Sequence, residues 1–465
     1  MKRAASAAAF VFAAGYLALL LSNACMFAAG PDSSGYLNEA RLLAAGKRSV
    51  ALDVDPSLIH LFTPYGFMAG RTPGTMVPTY PAGTPLHFAL AAAIGGWQIA
   101  PFVVSPLAAT ASLFLFALVA RRLGASAPWS IVAAVLLAAF PMVIGQGVQP
   151  VSDVLAMFWA LATIYCALRS EEHRGWAIAC GVAFAIGVAV RPTNILLALP
   201  LLFAMRLRPL AIAAIAALPF GLALAMHHHA LYGSVFASGY GGVGQIVALT
   251  LAPPCAISLS KSLLSMATPL LLIGFFNRRK PALLLSWFGV FFVFYSFYSF
   301  CPDFSSTRFL LPALPALILG FVLVLSETRF IGAVLVLIVL AQEIAQIGRL
   351  HVLHLNEWES IYPRTVEWVD REVPRDAVVL SSIMSGAFYF HSPRRVVRWD
   401  QLTPETTARL RADPRFAMPW YAVASEVEGG AKALRERIPG EWQAVHRIRD
   451  VTVWRLVTAE NLRPD

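Results

Sequence analysis

The stretch AFVFAAGYLALLLSNACMFAAGPDSSGY, residues 9–36, sets the reading of the whole chain: a long apolar run ends directly on an acid. A bilayer core takes roughly 20 apolar residues in helical form, and after Met1-Lys2-Arg3 no charged residue intervenes before Asp32. The start also fits a leader cleaved near Ala28-Ala29-Gly30. Its apolar length exceeds the roughly 7–15 residues of a signal h-region, however, so an uncleaved first span is expected.

Working outward, the composition repeats the message. Of 465 residues 58% are hydrophobic and 13% charged, with a mean hydropathy of +0.66. Soluble domains carry about 25% charged residues, so an ordinary soluble protein is excluded. Charge is also unevenly placed. Residues 351–465 balance 16 acids against 16 bases, which leaves 20 bases and 10 acids in the first 350 and assigns the net +10 to the membrane part. That surplus is expected of cytoplasmic loops and gives no reason to expect a nucleic-acid partner. The five cysteines form no CxxC pair, which argues against a disulfide framework.

Ten further runs of spanning character lie near 101–120, 128–146, 153–168, 176–190, 194–206, 209–226, 258–276, 282–300, 309–326 and 330–348, making about eleven transmembrane helices. With a cytoplasmic N-terminus, the inner connections contain Arg121-Arg122, Arg169 to Arg174, Arg206 to Arg208, Asn277 to Lys280 and Ser326 to Arg329, together 12 of the 20 bases with Lys2 and Arg3. The outer connections hold Asp32, Glu39, Asp53, Asp55, Asp153 and Asp303. The apolar segment 85–100, broken by Gly95, Gly96 and Pro101, is expected to lie at the outer interface, because counting it as a span would invert every later loop.

The resulting fold class is mainly α and polytopic, with residues 1–350 as the membrane domain, a long first outer loop at 30–100, and 351–465 as a small extracytoplasmic α/β domain. In that tail the apolar pattern predicts helices at 365–371, 405–411 and 431–437, and strands at 377–380, 395–398, 420–424, 442–446 and 452–456. No 20–50 residue repeat or inverted symmetry is visible, and the spans hold almost no ionisable residue besides Glu343. Both features weigh against a transporter.

Chemistry is expected on the outer side. Asp32 either caps the helix that follows Pro31 or is an acid held at the membrane surface for use. Asp153, after Gln149-Pro150-Val151-Ser152, has the same two readings. Arg191 and Arg308 stand at outer span ends, against the positive-inside bias. Each needs a lipid phosphate, an ion pair with Asp153 or Asp303, or a headgroup to snorkel to. Asp53-Val54-Asp55 could offer carboxylates to a cation, although Pro56 reads as a turn. His227-His228-His229 points its rings in different directions and reads as interface anchoring rather than a metal site.

Taken in order, Asp32 to Tyr36, Tyr80-Pro81-Ala82-Gly83-Thr84-Pro85-Leu86, Gln149 to Asp153, Arg191-Pro192, Tyr232-Gly233 to Gly239-Tyr240 and Arg308-Phe309-Leu310-Leu311-Pro312 resemble the motifs of the GT-C membrane glycosyltransferases. The similar branch comprises the protein O-mannosyltransferases and the aminoarabinose transferases of lipid A. The resemblance implies an inverting transfer from a polyprenyl-phosphate-linked sugar to the hydroxyl of an unidentified lipid, glycan or protein acceptor. Asp32 would be the base, Asp153 a second acid, Arg191 and Arg308 the binders of the donor phosphate, and Tyr36, Tyr80, Tyr240 and Asp303 substrate-loop residues. It implies no cofactor or required metal, and contact with membrane lipid. The Ala- and Arg-rich composition points to a bacterial inner membrane, and an endoplasmic reticulum location would keep the same topology. One departure is Ser33, where protein O-mannosyltransferases carry Glu directly after the catalytic Asp, which makes a protein acceptor less secure. A lipid-linked glycan ligase or polymerase, a transporter and a non-catalytic scaffold are the alternatives.

Overall fold

The computed structural model describes residues 2–241, 243–299, 304–416 and 418–457. Helix α1 (Lys2–Ser22) leads into α2 (Pro31–Ala44), and the first loop then forms a three-stranded antiparallel sheet, β1 (Val50–Ala51), β2 (Phe67–Ala69) and β3 (Thr75–Pro78), ordered β1-β3-β2. The bundle continues through α3 (Gly83–Gly95), α4 (Ala100–Arg122), α5 (Ala127–Ala139), α6 (Pro141–Gly147), α7 (Asp153–Arg169), α8 (Arg174–Val190), α9 (Ala198–Ala204) and α10 (Leu207–Tyr232). It closes with α11 (Val243–Ile246), α12 (Ala252–Ala267), α13 (Pro281–Ser296), α14 (Leu314–Leu325) and α15 (Arg329–Arg349).

Each expected run coincides with a helix or a bent helical pair. Among the described residues, only α4, α10 and the helix starting at Phe330 are long and apolar enough to cross a bilayer alone, and five segments qualify if each bent pair is one span. The count of eleven is not reached on that criterion. The bends have local causes. Between α5 and α6 the axis turns by 63° at Pro141, whose missing N–H and ring force Phe140 into an extended conformation. After α12 it turns by 100° at Thr268, whose φ is +79° and whose hydroxyl caps the 3₁₀ turn Pro269–Phe276 through the Leu270 amide. Helix α3 spans 13 residues, about 20 Å at 1.5 Å per residue, short of a hydrocarbon core of about 30 Å.

Two ends of the bundle are chemically distinct. At one, the basic loops meet acids: Arg122 and Arg169 pair with Glu172, Arg206 with Glu171, and Arg279 with Glu327 and the Gly124 carbonyl. At the other end stand Asp32, Asp153, Arg191 and Arg308, a full helix length away, since α7 alone runs 17 residues from Asp153 to Arg169. Between them α10 and α15 expose Leu207, Ile215, Met226, Phe330 and Leu337, an apolar belt suited to lipid.

The tail comprises α16 (Leu355–Glu359), α17 (Ile361–Glu372), β4 (Val378–Ser381), α18 (Ser385–His391), β5 (Val396–Val397), α19 (Pro404–Ala412), β6 (Trp420–Ser425), α20 (Gly430–Arg437), β7 (Glu441–Ile448) and β8 (Val451–Val457). The expected helices and strands are present, and α16 and α18 are additional. The sheet order is β5-β4-β6-β8-β7, parallel around β4 and antiparallel beyond β6. Because side chains alternate across a strand, Val379, Tyr421 and Val423 face a core with Val366, Val369 and Phe388, while Val378, Leu380 and Ala422 face the other way. That second face is closed by the first loop, whose Leu58, Leu61 and Phe62 share its core. Loop and tail are therefore one packed unit although 351–465 is separate in sequence. Asp55 belongs to this joint: its carboxylate caps Ser57 and pairs with Arg409 at 2.9 Å.

Candidate active site

Neither carboxylate singled out in the sequence is a helix cap. Helix α2 begins at Pro31 with Gly30 as its N-cap residue and no capping side chain. The start is tied down differently: the Ser33 hydroxyl accepts from the Ala29 amide (3.2 Å), and Glu359 accepts from the Gly30 amide (3.2 Å). Asp32 is thereby left to point away from the backbone. One carboxylate oxygen accepts from the Tyr80 phenol at 2.9 Å, and the other pairs with Arg308 Nη2 at 2.8 Å. Likewise Ser152, not Asp153, occupies the cap position of α7 and makes no side-chain cap bond. The Asp153 carboxylate, 3% exposed, is bound to Arg191. Both arginines are in ion pairs, Arg191 with Asp153 and Arg308 with Asp32.

The two pairs form one assembly. The Phe309 ring has a guanidinium near it from each pair, Arg191 at 5.0 Å and Arg308 at 5.2 Å. Tyr36, one turn along α2 from Asp32, donates to the Ser152 hydroxyl at 2.9 Å, which ties the first acid's helix to the second acid's. Tyr36, Tyr80 and Tyr240 are contiguous, with ring centroids 4.6 and 6.0 Å apart. Tyr232 fixes the loop bearing Tyr240 by donating to the Pro78 carbonyl at 2.9 Å. Residue 35 must be glycine here, because a Cβ would lie 2.1 Å from the Tyr80 ring and 3.0 Å from the Gly66 backbone.

Electrostatics keep this site charged. The Tyr80 phenol is pushed well above its ordinary range, first by burial and then by the Asp32 carboxylate, so it stays a neutral donor. For Arg308 burial alone would favour loss of the proton, and the charges of Asp32 and Asp153 reverse that, raising it above an ordinary arginine. Its Nε and the neighbouring Thr307 hydroxyl are buried with no hydrogen-bond partner among the described residues. An oxyanion with two or more free oxygens would satisfy such a pair of unused donors.

Thus Asp32, Asp153, Arg191, Arg308, Tyr36, Tyr80 and Tyr240 come together as read from the sequence, while Asp303 lies outside the described residues. Sequence reasoning missed Glu359, Phe309 and Thr193, whose hydroxyl bonds Tyr295 at 2.6 Å. Phe309 sits within a noted motif, but Glu359 had no signal: it is one acid among 16 in the tail. His228 packs on Tyr232 at 5.7 Å, and among the described residues no three His, Cys, Asp or Glu side chains converge.

Residues 81–237 match the sequence profile of the dolichyl-phosphate-mannose-protein mannosyltransferase family. No curated protein matches the chain. Among solved structures, ArnT from Cupriavidus metallidurans bound to undecaprenyl phosphate superposes with a TM-score of 0.60 at 14% identity, covering 98% of this chain and 99% of that one. The mycobacterial arabinofuranosyltransferase AftD gives a TM-score of 0.56 at 15% identity over 98% of this chain and 41% of its own. The oligosaccharyltransferase of Archaeoglobus fulgidus gives 0.57 at 13% identity over 96% and 72%. The chain therefore has the fold of the GT-C superfamily of polytopic membrane glycosyltransferases, and residues 81–237 carry the sequence pattern of its protein mannosyltransferase branch.

Proposed function

We propose that the chain is an inverting glycosyltransferase that moves a sugar from a polyprenyl phosphate to an acceptor hydroxyl. The observation that carries this reading is the pairing of Asp32 with Tyr80 and Arg308 beside two unused buried donors. In the reaction the acceptor oxygen bonds to the anomeric carbon, the bond from that carbon to the phosphate oxygen breaks, and the acceptor's proton goes to Asp32. General-base help and charge stabilisation are the two contributions such a site makes. Tyr80 and Arg308 hold the Asp32 carboxylate in one orientation. The free Nε of Arg308 and the Thr307 hydroxyl would meet the leaving phosphate without releasing Asp32. Asp153 acts by holding Arg191 over Phe309, so that a second guanidinium adds positive potential where the phosphate charge grows.

The location follows the same reading. Clustering of the basic loops at the end of the bundle away from the site supports a cytoplasmic face there and an extracytoplasmic site in a bacterial inner membrane. The likeness to a structure bound to undecaprenyl phosphate supports a polyprenyl carrier. The test is label transfer from radiolabelled polyprenyl-phosphate sugars in membranes containing wild type, Asp32→Asn or Arg308→Ala. Loss in both variants at normal expression is the expected result. Normal transfer in Asp32→Asn would overturn the proposal.

A further inference from the structure

At the foot of the C-terminal domain a groove of about 730 Å³ opens where α15 ends. That size falls within the roughly 300–1,000 Å³ of small-molecule sites. Its walls are His351 and His354 from the connection after α15, Glu357 and Trp358 from α16, and Arg447, Arg449 and Asp450 from the β7–β8 hairpin. Trp358 is 56% exposed, with the Arg449 guanidinium 4.8 Å from its ring. Arg447 Nε donates to the Arg449 carbonyl at 3.0 Å, so the two arginines are held as a unit.

Backbone geometry marks the place independently. Among the described residues four that are not glycine have positive φ, and two of them, His351 (+50°) and Arg449 (+52°), line this groove.

The charge balance decides the ligand. Glu357 and Asp450 line the groove together with Arg447 and Arg449; Glu357 lies 3.5 Å from the His354 ring, Asp450 accepts from the Ser425 hydroxyl at 3.0 Å, and Glu426 pairs with Arg447 at 3.4 Å. An anionic headgroup would meet as many carboxylates as guanidiniums. A neutral polyhydroxyl ligand uses both, because carboxylates accept from hydroxyls, guanidiniums donate to them, and an exposed indole packs on an apolar sugar face.

The segment that lines the groove also leads in sequence to a contact with the Asp32 loop. The residue after Trp358 is Glu359, whose carboxylate accepts from the Gly30 amide two residues before Asp32. The Tyr362 phenol oxygen lies 3.4 Å from the place of a Gly30 Cβ, and it is within electrostatic reach of both Asp450 and Asp32. One helical connection, α16 to α17, thus separates the groove from the Asp32 loop.

We infer that this groove holds the acceptor, a neutral saccharide head group whose free hydroxyl is presented to Asp32. The inference rests on the transferase reading above and adds the acceptor class. It is tested by binding of full-length protein in nanodiscs to an immobilised array of neutral and anionic bacterial saccharides, with vesicles of anionic phospholipid as a parallel arm. Wild type, Asp32→Asn, Trp358→Ala and Trp358→Phe are compared. The expected result is neutral-saccharide binding by wild type, weakened at least about tenfold in Trp358→Ala and largely kept in Trp358→Phe. Absence of saccharide binding, binding indifferent to Trp358→Ala, or capture only by anionic vesicles would overturn it. Because binding is read without transfer, Asp32→Asn separates the two proposals: transfer retained in that variant refutes the base, and lost saccharide binding in Trp358→Ala still supports the groove.

Discussion

Replacing Tyr80 by Phe removes one hydroxyl and leaves the ring packed between Tyr36 and Tyr240, so it isolates the 2.9 Å hydrogen bond to Asp32. Hydrogen bonds to charged groups contribute about 1.5–3 kcal/mol. Asp32 keeps its 2.8 Å contact with Arg308, so the lower part of that range applies, and at about 1.4 kcal/mol per tenfold the loss in kcat/KM should be about 10–30-fold. Gly35→Ala reaches the same bond by another route. Its Cβ would sit 2.1 Å from the Tyr80 ring, whereas van der Waals contact needs roughly 3.5 Å. The ring must therefore retreat by about 1.4 Å, enough to break the hydrogen bond. Gly35→Ala should then cost at least as much as Tyr80→Phe, and the double variant should be clearly less than additive because both remove one interaction. The assay is initial-rate transfer in detergent or nanodiscs, with thermal melts as the folding control. An active Gly35→Ala protein, or full additivity in a folded double variant, would refute the placement of Tyr80 on Asp32.

Asp153→Ala strands the Arg191 guanidinium, which is 13% exposed, and should destabilise the protein by about 3–5 kcal/mol; Asp153→Ala/Arg191→Ala should recover part of this in a denaturant or thermal melt. Glu39 is buried with neither carboxylate oxygen bonded, and burial raises its carboxyl well above the ordinary glutamate range. The folded protein thus retains a proton that the unfolded chain loses, so stability falls as pH rises above about 4.5, and Glu39→Gln should flatten that fall when melting is followed from about pH 5 to about pH 8. Arg409→Ala breaks a half-exposed pair with Asp55 and should cost under about 1 kcal/mol; a larger loss in the melt would mean that the joint between loop and tail depends on that pair.

Much of this structure is legible in the chain because its signals are local. Strands β4 and β6 read as apolar runs because both faces of the sheet are covered, and the membrane helices read from their length. The short strands β1 to β3 escaped, since two to four residues establish no period, and the bends after Phe140 and Ala267 were hidden inside continuous hydropathy although Pro141 and Pro269 mark them. The site residues were found by type and order, but their pairing was not. Asp32 meets Arg308 from the opposite end of the membrane domain's sequence, and nothing in spacing prefers that partner over the nearby Asp303. Asp32 and Asp153 each looked equally like a helix cap, a choice only the orientation of the carboxylate resolves. Glu359 reaches the site by domain docking, for which a single sequence has no mark.

The shared core of Leu58, Leu61 and Phe62 with Val378 and Leu380 also orders events at the ribosome. The loop that follows Asp32 is synthesised early, yet the sheet that completes its packing emerges some 300 residues later. At about 5–20 residues per second that interval is roughly 15–60 s. Throughout it the loop is unfinished, with apolar side chains awaiting a partner. On the extracytoplasmic topology proposed above, the loop that bears Asp32 is completed only after the last domain has crossed the membrane, and premature termination anywhere before β4 should leave an inserted bundle that is inert.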